Sequence, residues 1–135
     1  MNCIFCKIIA GEISGYKVYE DNKTLAFLDI APVSDGHILV VPKKHYKNIE
    51  DISEEELYAT IKTVKKIGKA LKKSLDISGY NVNINNNPIA GQIIPHIHFH
   101  IIPRYKNDGL KLWIQGKYKD KEAEKIQNKI KNYFK

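Results

Sequence analysis

Residues His96-Ile97-His98-Phe99-His100-Ile101-Ile102 alternate imidazole and apolar side chains and then close on a second isoleucine. Successive side chains of a β-strand point to opposite faces, so the stretch reads as a strand with Ile97, Phe99 and Ile101 on one side and the three imidazoles on the other. A second segment has the same period of two: Tyr80, Val82 and Ile84 oppose Asn81, Asn83 and Asn85. About eleven residues separate the two, too few for a parallel crossover with its own helix, which predicts an antiparallel pair. If both bury their apolar sides against one helix, the asparagine and histidine columns share the opposite face. That face is the candidate site.

Further strands are predicted at 17–20, 24–29 and 38–41, punctuated by Asp21-Asn22, Ser34-Asp35-Gly36 and Asn87-Pro88. Ser53-Glu54-Glu55-Glu56 has the form of a capping box, and Leu57, Ile61, Val64, Gly68, Leu71 and Leu75 follow at helical spacing. Gly68 on that stripe suggests close approach of another backbone. A shorter stripe, Ala123, Ile126, Ile130 and Phe134, predicts a C-terminal helix packed on the same core.

A chain of 135 residues holds one domain, taken here as 1–135. Apolar runs such as Ile38 to Val41 fall far short of the roughly 20 residues a membrane span needs, and the N-terminus lacks the basic and apolar regions of a secretory signal. No membrane partner and a cytoplasmic location are therefore expected. The formal net charge is +7, with Arg104 the single arginine. Lys62, Lys65, Lys66, Lys69, Lys72 and Lys73 alternate with the apolar positions of one helix, without interleaved aromatic residues. That is the pattern of a solvated face, and no nucleic-acid partner is expected.

Three imidazoles in a column are a poor way to fill a core, because every ring needs partners for two nitrogens. They suit either a catalytic zinc or a nucleophile with helpers. Neighbours on one strand face stand about 6.5 to 7 Å apart, which is awkward for one ion with bonds of about 2 Å, so the spacing favours the nucleophile. Cys3-x-x-Cys6 is half of a tetrahedral metal site, with histidines as the obvious further donors. Spacing alone leaves a metal site and two buried thiols equally open.

The triad, together with Phe27-Leu28-Asp29-Ile30, His37 to His45, Asn85, Ala90-Gly91-Gln92 and Pro103-Arg104, resembles the Hint branch of the histidine-triad superfamily of nucleotide hydrolases and transferases, in register over almost the whole chain. The resemblance implies an α+β fold, with a five-stranded antiparallel sheet, one long helix and a C-terminal helix, assembled as a homodimer. It implies that His98 attacks the α-phosphorus of a purine nucleotide derivative, carrying an AMP or GMP moiety, through a nucleotidyl-histidine. The backbone carbonyl of His96 would hold the His98 ring, and His100, His37 and Asn85 would surround the phosphate and leaving group. Asp29 would bind the ribose hydroxyls and Phe27 and Ile30 would flank the base, with Gln92 and His96 also on the substrate side. Similar zinc-containing bacterial members imply a structural Zn2+ on Cys3, Cys6, His45 and His96. Two features depart from the pattern: Ile93 stands where a serine is usual, and the segment Leu110 to Tyr118 matches nothing in it. Trp113 within that segment reads as a core or interface anchor.

Overall fold

The computed structural model describes residues 2–135. In chain order it comprises α1 (Ile4–Ile9), β1 (Lys17–Glu20), β2 (Thr24–Leu28), β3 (Ile38–Pro42), α2 (Glu54–Ser74), β4 (Gly79–Ile84), a single 3₁₀ turn (Pro88–Ala90), β5 (Phe99–Arg104) and α3 (Glu122–Tyr133). The strands form one antiparallel sheet in the order β1-β2-β3-β5-β4; the five antiparallel strands are those the family resemblance implies, and β4 and β5 pair antiparallel as the sequence predicts. Among the described residues no helix is long and apolar enough to cross a membrane.

Register decides which residues share a face. Ala26 pairs with Val40, Val40 with Phe99, and Phe99 with Ile84, and this row packs under α2. One residue along, Phe27 pairs with Leu39, Leu39 with His100, and His100 with Asn83, and this row lies on the other face. The second face is the one read from the sequence as the candidate site. Helix α1 covers part of it, burying Phe5 and Ile8 against Leu25, Phe27, Leu39 and Val41. Both faces of the triad segment are therefore closed, with Ile97, Phe99 and Ile101 buried on one side and His96 and His98 on the other. Its regular pairing begins only at Phe99, so His96 and His98 precede the strand that was predicted to contain them.

Helix α2 starts where its cap predicts, with the Ser53 hydroxyl accepting from the Glu56 N–H at 3.3 Å. The Glu56 carboxylate, however, faces Lys23 and Lys44 at 3.5 and 3.7 Å. The buried stripe is rotated from the expected one. Thr60, Thr63 and Ile67 join Val64, Gly68 and Leu71 inside, Ile61 is exposed, and Leu75 is an exposed cap residue. Threonine can replace aliphatic side chains here because both hydroxyls are satisfied, Thr60 on the Glu56 carbonyl at 2.7 Å and Thr63 with Thr24 at 2.7 Å.

Helix α3 forms but does not pack on the core: it has no buried residue, and Ile130 and Phe134 are exposed. Trp113 is 90% exposed, so it is no core anchor of its own chain.

Gly68 meets a ring where a backbone was expected. A Cβ there would fall 2.2 Å from the Tyr80 hydroxyl and 2.4 Å from its ring. Gly68→Ala should therefore lower stability by about 1–3 kcal/mol despite alanine's better helix propensity, measured as a lower urea midpoint. An unchanged or raised midpoint would mean that the Tyr80 ring swings aside freely.

Candidate active site and metal centre

Partner atoms assign a tautomer to most of the clustered rings. His98 Nδ1 lies 2.8 Å from the His96 carbonyl, so Nδ1 carries the proton and Nε2 keeps a free lone pair. The Val33 N–H donates to His37 Nδ1 at 3.0 Å, which places the His37 proton on Nε2. From there it donates to His100 Nδ1 at 3.0 Å, leaving a neutral His100 with an N–H at Nε2. The rings of His98 and His100 lie 4.9 Å apart. One ring thus offers an unprotonated nitrogen beside another that offers a donor.

Burial keeps these rings neutral. It pushes His100 down to about 4, with the neighbouring His98 and His37 rings adding to the shift. Burial lowers His98 and His37 too, against the opposing pull of the His96 carbonyl on His98 and of Asp29 on both. Asp29 Oδ2 lies 3.7 Å from His37 Nε2, and its Oδ1 accepts from the Ala31 N–H at 2.9 Å. The carboxylate therefore stands at the edge of the histidine cluster, on the loop after β2.

The other residues singled out by sequence are distributed unevenly. Phe27 is buried beneath α1, whereas Ile30 and Ile93 are exposed. Asn85 directly follows β4, and its Nδ2 reaches the Gly91 carbonyl at 3.5 Å. Gln92 is turned inward: its oxygen accepts from the Asn87 N–H at 2.8 Å, and its nitrogen donates to the Lys47 and Ile94 carbonyls at 2.7 and 3.1 Å. That leaves it holding the loop between β4 and β5 in shape. Arg104 is likewise committed, to Asp108, Asn81 and the Leu110 carbonyl at 2.8–3.0 Å. Phe5 and the helix that carries it were not anticipated. Their only sequence signal is the three-residue spacing of Phe5 and Ile8, which is too short to register as a periodicity.

Cys3, Cys6, His45 and His96 meet at the N-terminal end of the triad segment, with one ligand atom from each within 4.8 Å of the others. With Zn–N of about 2.0–2.1 Å and Zn–S of about 2.3 Å, a tetrahedron has N···N edges of about 3.4 Å and N···S edges of about 3.6 Å. Here the two Nδ1 atoms lie 3.1 Å apart, and the sulfur–nitrogen distances are 3.5, 3.6 and 3.4 Å. His96 Nε2 donates to the Pro42 carbonyl at 2.9 Å, which turns the lone pair of Nδ1 toward the thiols. Partial burial and then the adjacent Cys3 thiol push the Cys6 thiol up, so two thiolates here need a cation beside them. The four residues fit a zinc ion.

Asp29, His37 and His100 also bring three donor atoms within 4.8 Å. Their hydrogen bonds exclude a metal, because it would have to take the Nε2 position that holds the His37 proton. His37 and His100 form a hydrogen-bonded pair, with the Asp29 carboxylate 3.7 Å from His37 Nε2.

The family model that matches residues 10–107 is that of the HIT domain. The chain belongs to the HIT domain family. Among relatives, it is 50% identical over 129 residues to an uncharacterized HIT-like protein of Methanocaldococcus jannaschii, covering 96% of this chain and 98% of that one. It is 44% identical over 107 residues to an adenosine 5'-monophosphoramidase of Candida albicans, covering 76% and 70%. Among solved structures, a HIT family protein from Bacillus subtilis superposes with a TM-score of 0.89 at 42% identity, over 98% of this chain and 96% of that one. A zinc-bound histidine triad family protein from Mycobacterium smegmatis gives 0.78 at 36% identity, over 82% and 81%. The HIT fold implied by the sequence resemblance is thus the fold observed.

The depressed His100 and His37 set an acid limit. A histidine held below its ordinary 6.5 adds stability that is complete above that pH and is lost as pH falls toward the folded value, about 4 for His100. The Tm should therefore fall between pH 6.5 and 4, and His100→Asn should flatten the decline. An equally steep decline in the variant would assign it to other groups.

Proposed function

We propose that this HIT protein is a nucleotide hydrolase of the phosphoramidase type, acting on purine nucleoside 5'-phosphoramidates through a nucleotidyl-histidine. The observation that carries the reading is the tautomer pair: His98 with a free Nε2 beside His100 with an N–H. The name of the Candida albicans relative, an adenosine 5'-monophosphoramidase, supports the same chemistry.

In the first step His98 Nε2 attacks the α-phosphorus, the phosphorus–nitrogen bond to the leaving amine breaks, the amine takes its proton from a solvent water, and the His100 Nε2–H donates a hydrogen bond to the α-phosphate oxygens. Solvent water here takes the place of the hydroxyl that Ile93 lacks. In the second step the hydroxide left by that water attacks the same phosphorus and the bond to His98 breaks, which releases the nucleoside monophosphate and returns His98 to its neutral form. Asn85 assists at the phosphate, Asp29 accepts from the ribose hydroxyls and the exposed Ile30 flanks the base, while Phe27, expected beside the base, is buried against Phe5 instead. Gln92 acts by shaping the loop. A polyphosphate would bring several negative charges that want cationic partners, and the one arginine is engaged elsewhere.

Zinc on Cys3, Cys6, His45 and His96 would supply a tetrahedral crosslink between α1, the segment after β3 and the triad strand. The zinc-bound relative supports that assignment. A homodimer also fits. Strand β4 is an unpaired edge, and a groove of about 800 Å³ runs from Asn81, Val82 and Asn83 to Leu112, Trp113 and Ile114, which are more than two-thirds exposed. A second copy would cover both.

His98→Asn should reduce phosphoramidate turnover by at least about a thousandfold and abolish the nucleotidyl adduct in intact mass spectra, with the fold retained. In the wild-type protein kcat/KM should be higher for adenosine or guanosine phosphoramidates than for diadenosine polyphosphates. The reverse order would make it a dinucleotide hydrolase, and full activity in the variant would remove His98 as nucleophile. Metal analysis should find about one zinc per chain, lost together with thermal stability in Cys3→Ser. Metal-free protein with both thiols freely titratable would reduce the cysteines to core residues.

A further inference from the structure

Helix α1 has little to hold it by itself. It is six residues long, has no acidic residue in its first turn, and its N-cap is a sulfur, Cys3 Sγ, accepting from the Cys6 N–H at 3.5 Å. A helix this short does not persist in isolation, so its position comes from what it is attached to. Two attachments exist. Cys3 and Cys6 join it to His45 and His96, and Phe5 and Ile8 bury into the sheet.

Phe5 lies where these attachments converge. Its ring meets Phe27 at 5.5 Å, His96 at 5.9 Å and His98 at 5.0 Å between centroids, each close to edge-on. The His98 ring has one hydrogen bond, to the His96 carbonyl, and a single bond fixes the tautomer while leaving the ring free to tilt about the N–H···O direction. Phe5 at 77° and His100 at 61° are the ring contacts that set its plane.

We propose that Phe5 is a positioning residue that orients the His98 imidazole and couples it to the metal centre through α1. The inference rests on the reading of His98 as nucleophile and extends it: occupancy of the cysteine–histidine site would tune the attacking nitrogen without contributing a ligand to the substrate. Small misplacements of a nucleophile are costly in rate, which makes such a contact effective.

The test compares Phe5→Leu with Ile8→Val, a substitution on the same helix and in the same apolar cluster at a side chain that carries no ring to set against His98. Three quantities are measured: zinc content, the rate of nucleotidyl-adduct formation at saturating adenosine phosphoramidate, and solvent exchange of the His98 ring Nδ1–H by NMR. Phe5→Leu should retain zinc, slow adduct formation roughly tenfold and speed ring-proton exchange. Ile8→Val should change neither rate nor exchange. Cys6→Ser should lose zinc and reproduce the same slowing, and the double variant Phe5→Leu/Cys6→Ser should be no slower than the slower single one, as expected for two changes on one path. Unaltered rate and exchange in Phe5→Leu, or losses that multiply in the double variant, would overturn the proposal. If Phe5→Leu does not fold, Phe5→Met carries the same expectations. A wild-type protein that forms no adduct would refute the hydrolase reading alone, because ring-proton exchange still decides the role of Phe5.

Discussion

Burying imidazole rings imposes a condition that the rest of this structure meets: each nitrogen removed from water must find a partner, and the partner determines which nitrogen keeps its proton. The His96 and Pro42 carbonyls and the Val33 N–H are fixed by backbone geometry, so the tautomers of His98, His96 and His37 are decided before any ligand arrives. The same burial lowers the pKa of these rings and of His100, which keeps them neutral under ordinary conditions. A neutral ring with a defined lone pair is what both nucleophilic attack and metal ligation require.

Two centres of different chemistry therefore share one short segment. The side chain of His96 turns toward the thiols while its carbonyl holds His98, and four residues on from His96, His100 accepts a hydrogen bond from the His37 Nε2–H. The alternation of the chain keeps the three rings on the face opposite Ile97, Phe99 and Ile101, so the two centres are separated along the segment and not across it. Helix α1 closes over this irregular stretch, and Cys3 and Cys6 lie against His96 at the edge of the histidine cluster. A cysteine–histidine cluster and a ring with an unprotonated nitrogen thus arise from residues two apart.

Much of this was legible in the sequence. The period of two in 80–85 and 97–102, the serine cap at 53 and the turn residues located all five strands and the long helix, with boundaries shifted by at most two residues. Local spacing encodes such elements directly. Less legible was the rotation of α2, since Thr60 and Thr63 look polar until the hydroxyl partners that let them be buried are known. The stripe on α3 was read correctly as amphipathic and wrongly as packed on its own core, because a periodicity shows that a face is apolar without saying what covers it.

The sequence by itself determined the strand alternation and, through the family pattern, named the four cysteine and histidine residues that come together and the residue expected to react. Those are properties of residue type and spacing along the chain. Only the tertiary structure decided the tautomers, the inward turn of Gln92, the commitment of Arg104, and the placing of Phe5 against both His96 and His98. Each depends on a partner distant in sequence or on a backbone group that every residue carries alike, and neither leaves a mark in the order of side chains.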